Sequence, residues 1–533
     1  VNDQLPNGWT EATPVELAST EPNALAIGPF GSNLKVPDYR NAGVPLVFVR
    51  NIVRREFGGD SSRYVTEQKA KELKAHRVLP GDLLITKMGA PPGDVAVYPK
   101  SAPPAIITAD CIRFACNQTV TSAEYLEYAM QSPRVRSQFT EITQGVAQLK
   151  VSLGRFSTIR IPVSPIREQE RIVAALDERL SELDASVAAL ERAESNLVRY
   201  RAAVLASACS GRLVPTEADL ARREGRSYEP ADQLLARILA ERRKANTKAK
   251  YEEPAQPNTS KLPKLPEGWV WACLDQILAE PLSNGRSVPD ATDGFPVLRL
   301  TAIRGGAIDL REHKIGMWNE DEARPFLVKA GDILLSRGNG TLALVGRGGV
   351  VPDDPIPVAF PDTMIRVRRS ASVDRGYLAM LWNSPLVRTQ IEKEARTTAG
   401  IYKVNQQILE GICLPLPPAA EQSRIVAEVD RHLSRADALA ASIAQAKRRA
   451  QRLRRAILAA AFQGRLVPQD PHDEPASVLL ERIRAQAAAA PAAAPRRGRP
   501  PAPARAAEAA ATYDAPAPKR RGRPPGSKNK AKA

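Results

Sequence analysis

Glu168-Gln169-Glu170-Arg171-Ile172-Val173-Ala174 and Glu421-Gln422-Ser423-Arg424-Ile425-Val426-Ala427 are two copies of one heptapeptide, set 253 positions apart. The match continues without a gap to Gly211-Arg212-Leu213-Val214-Pro215 against Gly464-Arg465-Leu466-Val467-Pro468, and about half of the aligned positions are identical. An internal repeat of this period decides the architecture before any single motif does. Within the first copy apolar residues fall at Ile172, Leu176, Leu180, Leu183, Val187, Leu190, Leu197 and Val204. After the first turn this is the alternating four-three spacing of a coiled-coil seam, so the segment is a long helix. The second copy places Ile425, Val429, Leu433, Ala436, Ala440, Ile443, Ala450 and Ile457 in the same register. Each seam is too narrow to fold alone, and the two are expected to pack on each other. Glu194 and Arg201 in one seam, Lys447 and Arg454 in the other, weaken the pair but can set its register. Either direction of pairing is sterically open, and approximate twofold symmetry favours antiparallel.

Outward from the helices the repeat persists in fragments. Leu5-Pro6-Asn7-Gly8-Trp9 returns as Leu265-Pro266-Glu267-Gly268-Trp269, and Pro80-Gly81-Asp82-Leu83-Leu84-Ile85 as Ala330-Gly331-Asp332-Ile333-Leu334-Leu335. Tyr125-Leu126, Ser132-Pro133 and Val135-Arg136 are echoed by Tyr377-Leu378, Ser384-Pro385 and Val387-Arg388. After each long helix, Glu229-Pro230-Ala231 with Leu234-Leu235 is matched by Glu474-Pro475-Ala476 with Leu479-Leu480. The drifting offset means that loops differ in length between two halves built alike.

The globular parts read as mixed. Strands are expected at 45–52, 82–86, 94–98 and 105–114, with echoes at 296–303, 332–336, 342–345 and 364–367, and helices at 122–139 and 375–391. The expected fold class is α+β: two tandem mixed α/β domains separated by two long helices, followed by a disordered tail. The division is 1–165, first globule; 166–212, first long helix; 213–262, short helix and linker; 263–418, second globule; 419–465, second long helix; 466–484, short helix; 485–533, tail.

Composition narrows the function. With 76 Lys and Arg against 59 Asp and Glu, the net charge is +17, which favours an anionic partner. Eleven Lys or Arg against Glu508 and Asp514 lie between Ala485 and Ala533, so about half of the excess sits in the tail. Five scattered cysteines without a C-x-x-C pair argue against disulfide and zinc frameworks, and four dispersed histidines offer no metal motif. No run approaches the roughly 18 apolar residues of a membrane span, so a reduced, cytoplasmic setting without a membrane is expected.

Enzymatic signatures are weak. Gly338-Asn339-Gly340-Thr341-Leu342-Ala343 fits a dinucleotide-loop pattern, but a strand and turn are expected to follow it instead of a phosphate-capping helix. An acidic residue followed by E-x-K, the outline of a metal-dependent nuclease, occurs as Asp38 with Glu67 and Lys69, and as Asp290 with Glu312 and Lys314; such permissive spacing arises by chance in a charged chain. No catalytic or metal residue is expected.

Nucleic-acid signals are stronger. Arg497-Gly498-Arg499-Pro500 and Arg521-Gly522-Arg523-Pro524 are Gly-flanked arginine pairs in a basic, Pro-rich context, suited to a narrow A·T-rich minor groove and similar to AT-hooks. The bland alternative is a solubilising tail. In the globules, Lys87 follows one strand and Arg337 with Asn339 follows its echo, while Gln148 and Lys150 lie in a Gly-led loop echoed by Tyr402 and Lys403. Arg, Asn and Gln can read purine edges and Lys meets phosphate, although any one of them alone is more often a solvated surface group.

The E-Q-x-R-I-V-A helix start, the G-x-L-V-P helix end, the L-P-x-G-W opening and the G-D-[IL]-L strand together resemble the specificity subunit of Type I restriction-modification systems, over about residues 1 to 485. The resemblance implies two target-recognition domains that each read half of a bipartite double-stranded DNA site. It also implies an antiparallel helix pair, with seam residues such as Leu176, Leu180, Leu183, Val187, Leu190, Leu197, Leu433, Ile443 and Ile457, that docks two modification subunits. Methylation with S-adenosylmethionine would belong to those partner chains, and ATP- and Mg-dependent cleavage to restriction subunits if present; this chain would hold no cofactor and act at the bacterial or archaeal nucleoid. The rival readings are a nucleoid-associated protein acting through its hooks and the E-x-K nuclease.

Overall fold

The computed structural model describes residues 5–489, apart from 32, 60–61, 146–147, 246–251, 261 and 399. Two long helices form its spine: α1 (Ile166–Cys209) and α2 (Ala419–Ala461). Each starts directly after a proline, Pro165 or Pro418. Each stops at a glycine in the left-handed region, Gly211 (φ 69°) or Gly464 (φ 66°), where an L side chain is strained. These glycines are also points of close approach. A Cβ on Gly211 would come within 2.5 Å of Pro266 Cγ, and one on Gly464 within 2.4 Å of Pro6 Cγ. The recurring G-x-L-V-P and L-P-x-G-W motifs therefore meet, end of helix against opening of a globule.

The helices run antiparallel, because contacts join early residues of one to late residues of the other. Asp184 accepts from Arg454 and Asp437 from Arg201, both at 2.6 Å. Shifting either pair by the 253-residue repeat produces the other, which defines a pseudo-twofold axis. Glu194 and Lys447 are equivalent residues facing each other across it at 3.1 Å. The charged seam positions thus find opposite charges in this register, as a register device should. With only one partner helix, much of the seam is half-exposed: Leu183, Val187, Leu190, Leu197, Leu433 and Ile457 are partly buried, whereas Leu176, Leu180 and Ile443 are buried.

Burial is strongest where a globule caps each end of the helix pair. Ile172, Leu176 and Leu180 of α1 share a core with Leu458 and Ala461 of α2, with Trp9, Tyr125 and Phe139, and with Ala476 and Leu480 of the helix Ala476–Ala489. At the other end Val204 and Ala208 join Ile425 and Val429, Trp269, Tyr377 and Trp382, and Leu234 and Ile238 of the helix Ala231–Ala245. Ala231 N donates to Gly268 O and Ala476 N to Gly8 O, both at 2.8 Å. Each globule is thus completed by the short helix that follows the long helix ending against it, and the chain closes into a ring.

The first globule holds a four-stranded antiparallel sheet of β1 (Leu25–Ile27), β2 (Leu83–Thr86), β3 (Val95–Val97) and β4 (Cys111–Phe114), in the order β1-β4-β2-β3. The second repeats it with β5 (Leu278–Asn284), β6 (Ile333–Ser336), β7 (Gly348–Val350) and β8 (Met364–Arg369), in the order β5-β8-β6-β7. Two short strands, Ala307–Ile308 and Ile303–Arg304, extend the second sheet beyond β7. In both globules a terminal ribbon ties the ends together: Thr10–Ala12 pairs with Ile161–Val163, and Val270–Cys273 with Cys413–Leu416.

The structure corrects several local expectations. The stretch 45–52 is a strand only to Val47; Asn51 Oδ1 then accepts from Phe48 N and caps the helix Val49–Arg54. A turn at Thr108–Asp110 divides 105–114. The segment Leu342–Leu344 is a 3-10 turn, and the strand beside β6 falls instead at Gly348–Val350, where a Cβ on Gly348 would lie 2.8 Å from Trp382 Cδ1. Both expected helices of the globules break at Ser-Pro, before Pro133 and before Pro385.

Candidate nucleic-acid interface

The residues that recur most faithfully turn out to be joints. Trp9 Nε1 donates to Glu168 Oε2 at 3.0 Å and Trp269 Nε1 to Glu421 Oε1 at 2.9 Å, with all four residues buried. Burial pushes both carboxyls above the usual range, against these hydrogen bonds. The amides of Gln169 and Gln422 donate to the carbonyls of Ser164 and Pro417. The arginines reach across the molecule: Arg171 of α1 pairs with Asp473 after α2 at 2.7 Å, and Arg424 of α2 pairs with Glu217 after α1 at 2.5 Å. Burial opposes ionisation of Glu217, but the guanidinium groups of Arg226 and Arg424 outweigh it and hold the carboxyl low. The heptapeptide is thus a socket for the opposite half of the chain.

The G-D-[IL]-L motif has an equally structural reason. Gly81 (φ 88°) and Gly331 (φ 77°) turn the chain, and the following aspartate accepts a backbone N–H three residues back, Leu79 or Lys329. Asp82 then takes Arg113 Nε at 2.6 Å, and Asp332 takes Arg368 Nε at 2.8 Å. The hydrogen bonds from Arg368 to Asp332, opposed by burial, raise its pKa further. Arg136 and Arg388 hold the loops that follow β2 and β6, through Gly93 O at 2.5 Å and Val345 O at 2.6 Å.

The polar residues singled out in the sequence gather at one end of each sheet. In the first globule, β2 ends at Thr86, and Lys87 N donates to Asp110 O while Lys87 Nζ reaches Ala109 O at 3.3 Å. The next residue, Met88, forms an antiparallel bridge with Lys150, which is itself bridged to Gln144. Lys87, Gln148 and Lys150 therefore lie at a single sheet end, with the side chains of Gln148 and Lys150 exposed. In the second globule Arg337 N donates to Thr363 O, and Arg337 Nη1 reaches Asp362 O at 3.4 Å. Gly338 and Asn339 pair with Lys403 and Tyr402, and Arg396–Thr398 adds a third strand. Arg337, Asn339, Tyr402 and Lys403 are thus brought together, where the first globule has only isolated bridges. Asn339 Oδ1 is engaged by Thr341 N at 3.0 Å, so its amide is oriented by its own turn.

Between each globule and the spine lies a cleft: one of about 490 Å³ beside Arg55, Arg136, Arg454 and Arg455, and one of about 1000 Å³ beside Arg201, Arg347, Asn339 and Asn383. Arg454 and Arg201 are equivalent under the repeat, so the two clefts are copies that differ in volume. The second opens directly beside the Asn339 turn.

The nuclease outline comes together only in part, with Asp290 and Lys314 meeting while the remaining groups are engaged elsewhere. Glu312 accepts from Thr301 Oγ1 and Arg304, Lys314 pairs with Asp290, and Lys69 pairs with Glu72. Among the described residues no group of three His, Cys, Asp or Glu side chains could hold a metal, all five cysteines are buried free thiols, and no helix is long and apolar enough to cross a membrane. Arg497, Arg499, Arg521 and Arg523, with the tail expected to be disordered, lie outside the described residues.

Residues 48–197 match the family model of the Type I restriction modification DNA specificity domain. The chain is 25% identical over 501 residues to the Type I restriction enzyme EcoKI specificity subunit of Escherichia coli (strain K12), an alignment spanning 91% of this chain and 97% of that one. It is likewise 25% identical over 502 residues to the StySPI specificity subunit of Salmonella potsdam, spanning 91% and 96%. A solved chain from a study of complex assembly and conformational transition of the type I R-M system superposes with a TM-score of 0.58 at 18% identity, covering 87% of this chain and 99% of that one, and shows the same fold.

Proposed function

The chain belongs to the specificity subunits of Type I restriction-modification systems, and on that premise we propose how its geometry does the work of one. It recognises DNA and performs no catalysis itself; it assembles with methyltransferase and restriction subunits, where the chemistry resides. S-adenosylmethionine belongs to the modification subunits, and ATP with Mg to a restriction subunit. The site of action is the cytoplasm, on the chromosome.

One observation carries the proposal. Two copies of the same sheet end, furnished with different polar side chains, cap opposite ends of an antiparallel helix pair with a pseudo-twofold axis between them. A duplex has local dyads of its own, so a twofold protein can present equivalent surfaces to two segments of one groove. The helices are about 60 to 67 Å long at roughly 1.5 Å per residue, close to two helical turns of DNA. The first globule reads one half-site with Lys87, Gln148 and Lys150, and the second reads the other with Arg337, Asn339, Tyr402 and Lys403. The intervening base pairs are spanned, not read. The basic tail adds a sequence-poor electrostatic arm; its removal should weaken binding to all DNA and flatten the salt dependence without changing the preferred site.

Methylome sequencing of cells with and without the gene tests this reading. A split motif whose methylation disappears with the gene is the expected result. No change in the methylome would favour the hook-only nucleoid protein, and nuclease activity of the lone chain that Glu67→Ala or Glu312→Ala abolishes would favour the nuclease.

A further inference from the structure

Phe30 is 71% exposed in a chain where aromatic residues make up only 5%. Its exposure is built into the fold. Gly28 and Pro29 before it are buried, Leu34 after it is buried in a small core with Leu46, Val65 and Ile106, and Asn33 N donates to Phe30 O at 2.8 Å to close the turn. The segment is therefore pinned on both sides with an apolar ring at its tip. An exposed phenyl ring adds nothing to the core and leaves about 25 cal/mol in water for each Å² of apolar surface that a partner could cover.

The position of this turn says which partner. Gly28 N donates to Cys111 O, and a Cβ on Gly28 would come within 1.9 Å of Thr108 O, so the turn leaves β1 hard against the Thr108–Asp110 turn. Lys87 grips the same turn from the β2 side, through Asp110 O and Ala109 O. Phe30 thus stands at the sheet end already assigned to DNA. In the second globule the close approach and the grip on the facing turn recur. A Cβ on Gly285 would meet Phe360 O at 2.1 Å and Pro361 O at 2.3 Å, and Arg337 holds Thr363 O and Asp362 O. Two residues past Gly285, however, stands the exposed Ser287, with Arg286 before it in place of the buried Pro29.

We propose that Phe30 is a base-contacting, specificity-determining residue of the first globule alone, its ring lying against the bases of the first half-site where the second globule presents Arg286 and Ser287. The inference rests on the DNA-recognition reading above. An aromatic ring is suited to the thymine methyl groups that a duplex presents in its major groove and gains nothing from phosphate, so its contribution is independent of salt, unlike that of Lys87.

The test uses the full chain assembled with its modification subunits, on duplex carrying the split motif that the wild-type methylome defines. Phe30→Ala is expected to weaken binding roughly tenfold or more. The slope of log affinity against log salt should stay unchanged, and the first half of the methylated motif should relax while the second is kept; Phe30→Trp should restore binding. Val15→Ala, a change at another exposed apolar position (60%), serves as the control with no effect. Unchanged affinity and motif in Phe30→Ala overturns the proposal, as does a defect confined to subunit assembly, which would make the ring a protein contact. If the wild-type complex methylates no split motif, the DNA-recognition reading itself fails.

Discussion

The two globules share a frame and differ in what they hang on it. Strand order, the Gly-Asp turn, the buried aspartate–arginine pair, the Trp–Glu joint and the arginine that holds the loop after β2 or β6 are present in both. At the sheet ends the copies part. The first has a helix at Val49–Arg54 and isolated bridges around Lys150; the second has the extra strands Ile303–Arg304 and Ala307–Ile308 and a three-stranded patch around Tyr402. The difference teaches that residues kept between halves hold the molecule together, and residues that change between halves are free to read.

If that division is right, damage to a joint should cost the same in either half. Trp9→Ala and Trp269→Ala each remove a buried indole and strand a buried glutamate, and each should lower stability by about 3–5 kcal/mol. Urea unfolding followed separately in the two halves checks this, and a loss in one half only would break the equivalence. A smaller asymmetry is expected at the aspartates. Asp82→Ala leaves Arg113, whose side chain is only 6% exposed, without its close partner, at a cost of about 3 kcal/mol. Asp332→Ala should cost less, because Arg368 keeps Glu280 at 2.8 Å.

The smallest effect is a pH dependence. Because burial raises the carboxyl pKa of Glu168 and Glu421 in the fold, the stability that their protonation contributes is fully present below the unfolded pKa and is lost as pH rises through the folded value. Glu168→Gln and Glu421→Gln keep an oxygen for the indole N–H and remove the ionisation. The thermal midpoint of these variants should fall less than that of wild type between weakly acidic and neutral pH, and equally in the two.

The spine was legible because its signal is periodic and duplicated: an apolar seam with matched charges leaves few alternatives. Antiparallel pairing was favoured by the twofold repeat and implied by the family resemblance, but its cross-helix ion pairs were not legible, since the partners of Arg201 and Arg454, namely Asp437 and Asp184, lie off the seam and could be chosen only once the register was known. The recurring heptapeptide announced its importance without its role, because its contacts run to Trp9, Asp473 and Glu217, which are distant in sequence. In the globules, three-residue strands such as Leu25–Ile27 and Val95–Val97 carry too little periodicity to be bounded, and the strand at Gly348–Val350 was hidden because Gly348 answers to Trp382 and Gly349 to Ala307 rather than to strand propensity. Lys87, Arg337 and Asn339 after equivalent strands, and Gln148, Lys150, Tyr402 and Lys403 in equivalent loops, were singled out by recurrence, but that Lys150 comes to the end of the Lys87 strand and Tyr402 to Asn339 rests on pairing between distant segments. Phe30 was missed because it has no echo in the other half, although a lone aromatic in a Gly-Pro-Phe-Gly turn was there to be noticed.

The central claim is that each globule reads its own half of one site, and the most direct measurement is the methylome of two double variants. With Lys87→Ala and Lys150→Ala together, the account predicts a methylated motif relaxed or lost in one half and intact in the other. With Arg337→Ala and Asn339→Ala it predicts the reverse. Both pairs altering the same half, or neither altering the motif, would contradict it.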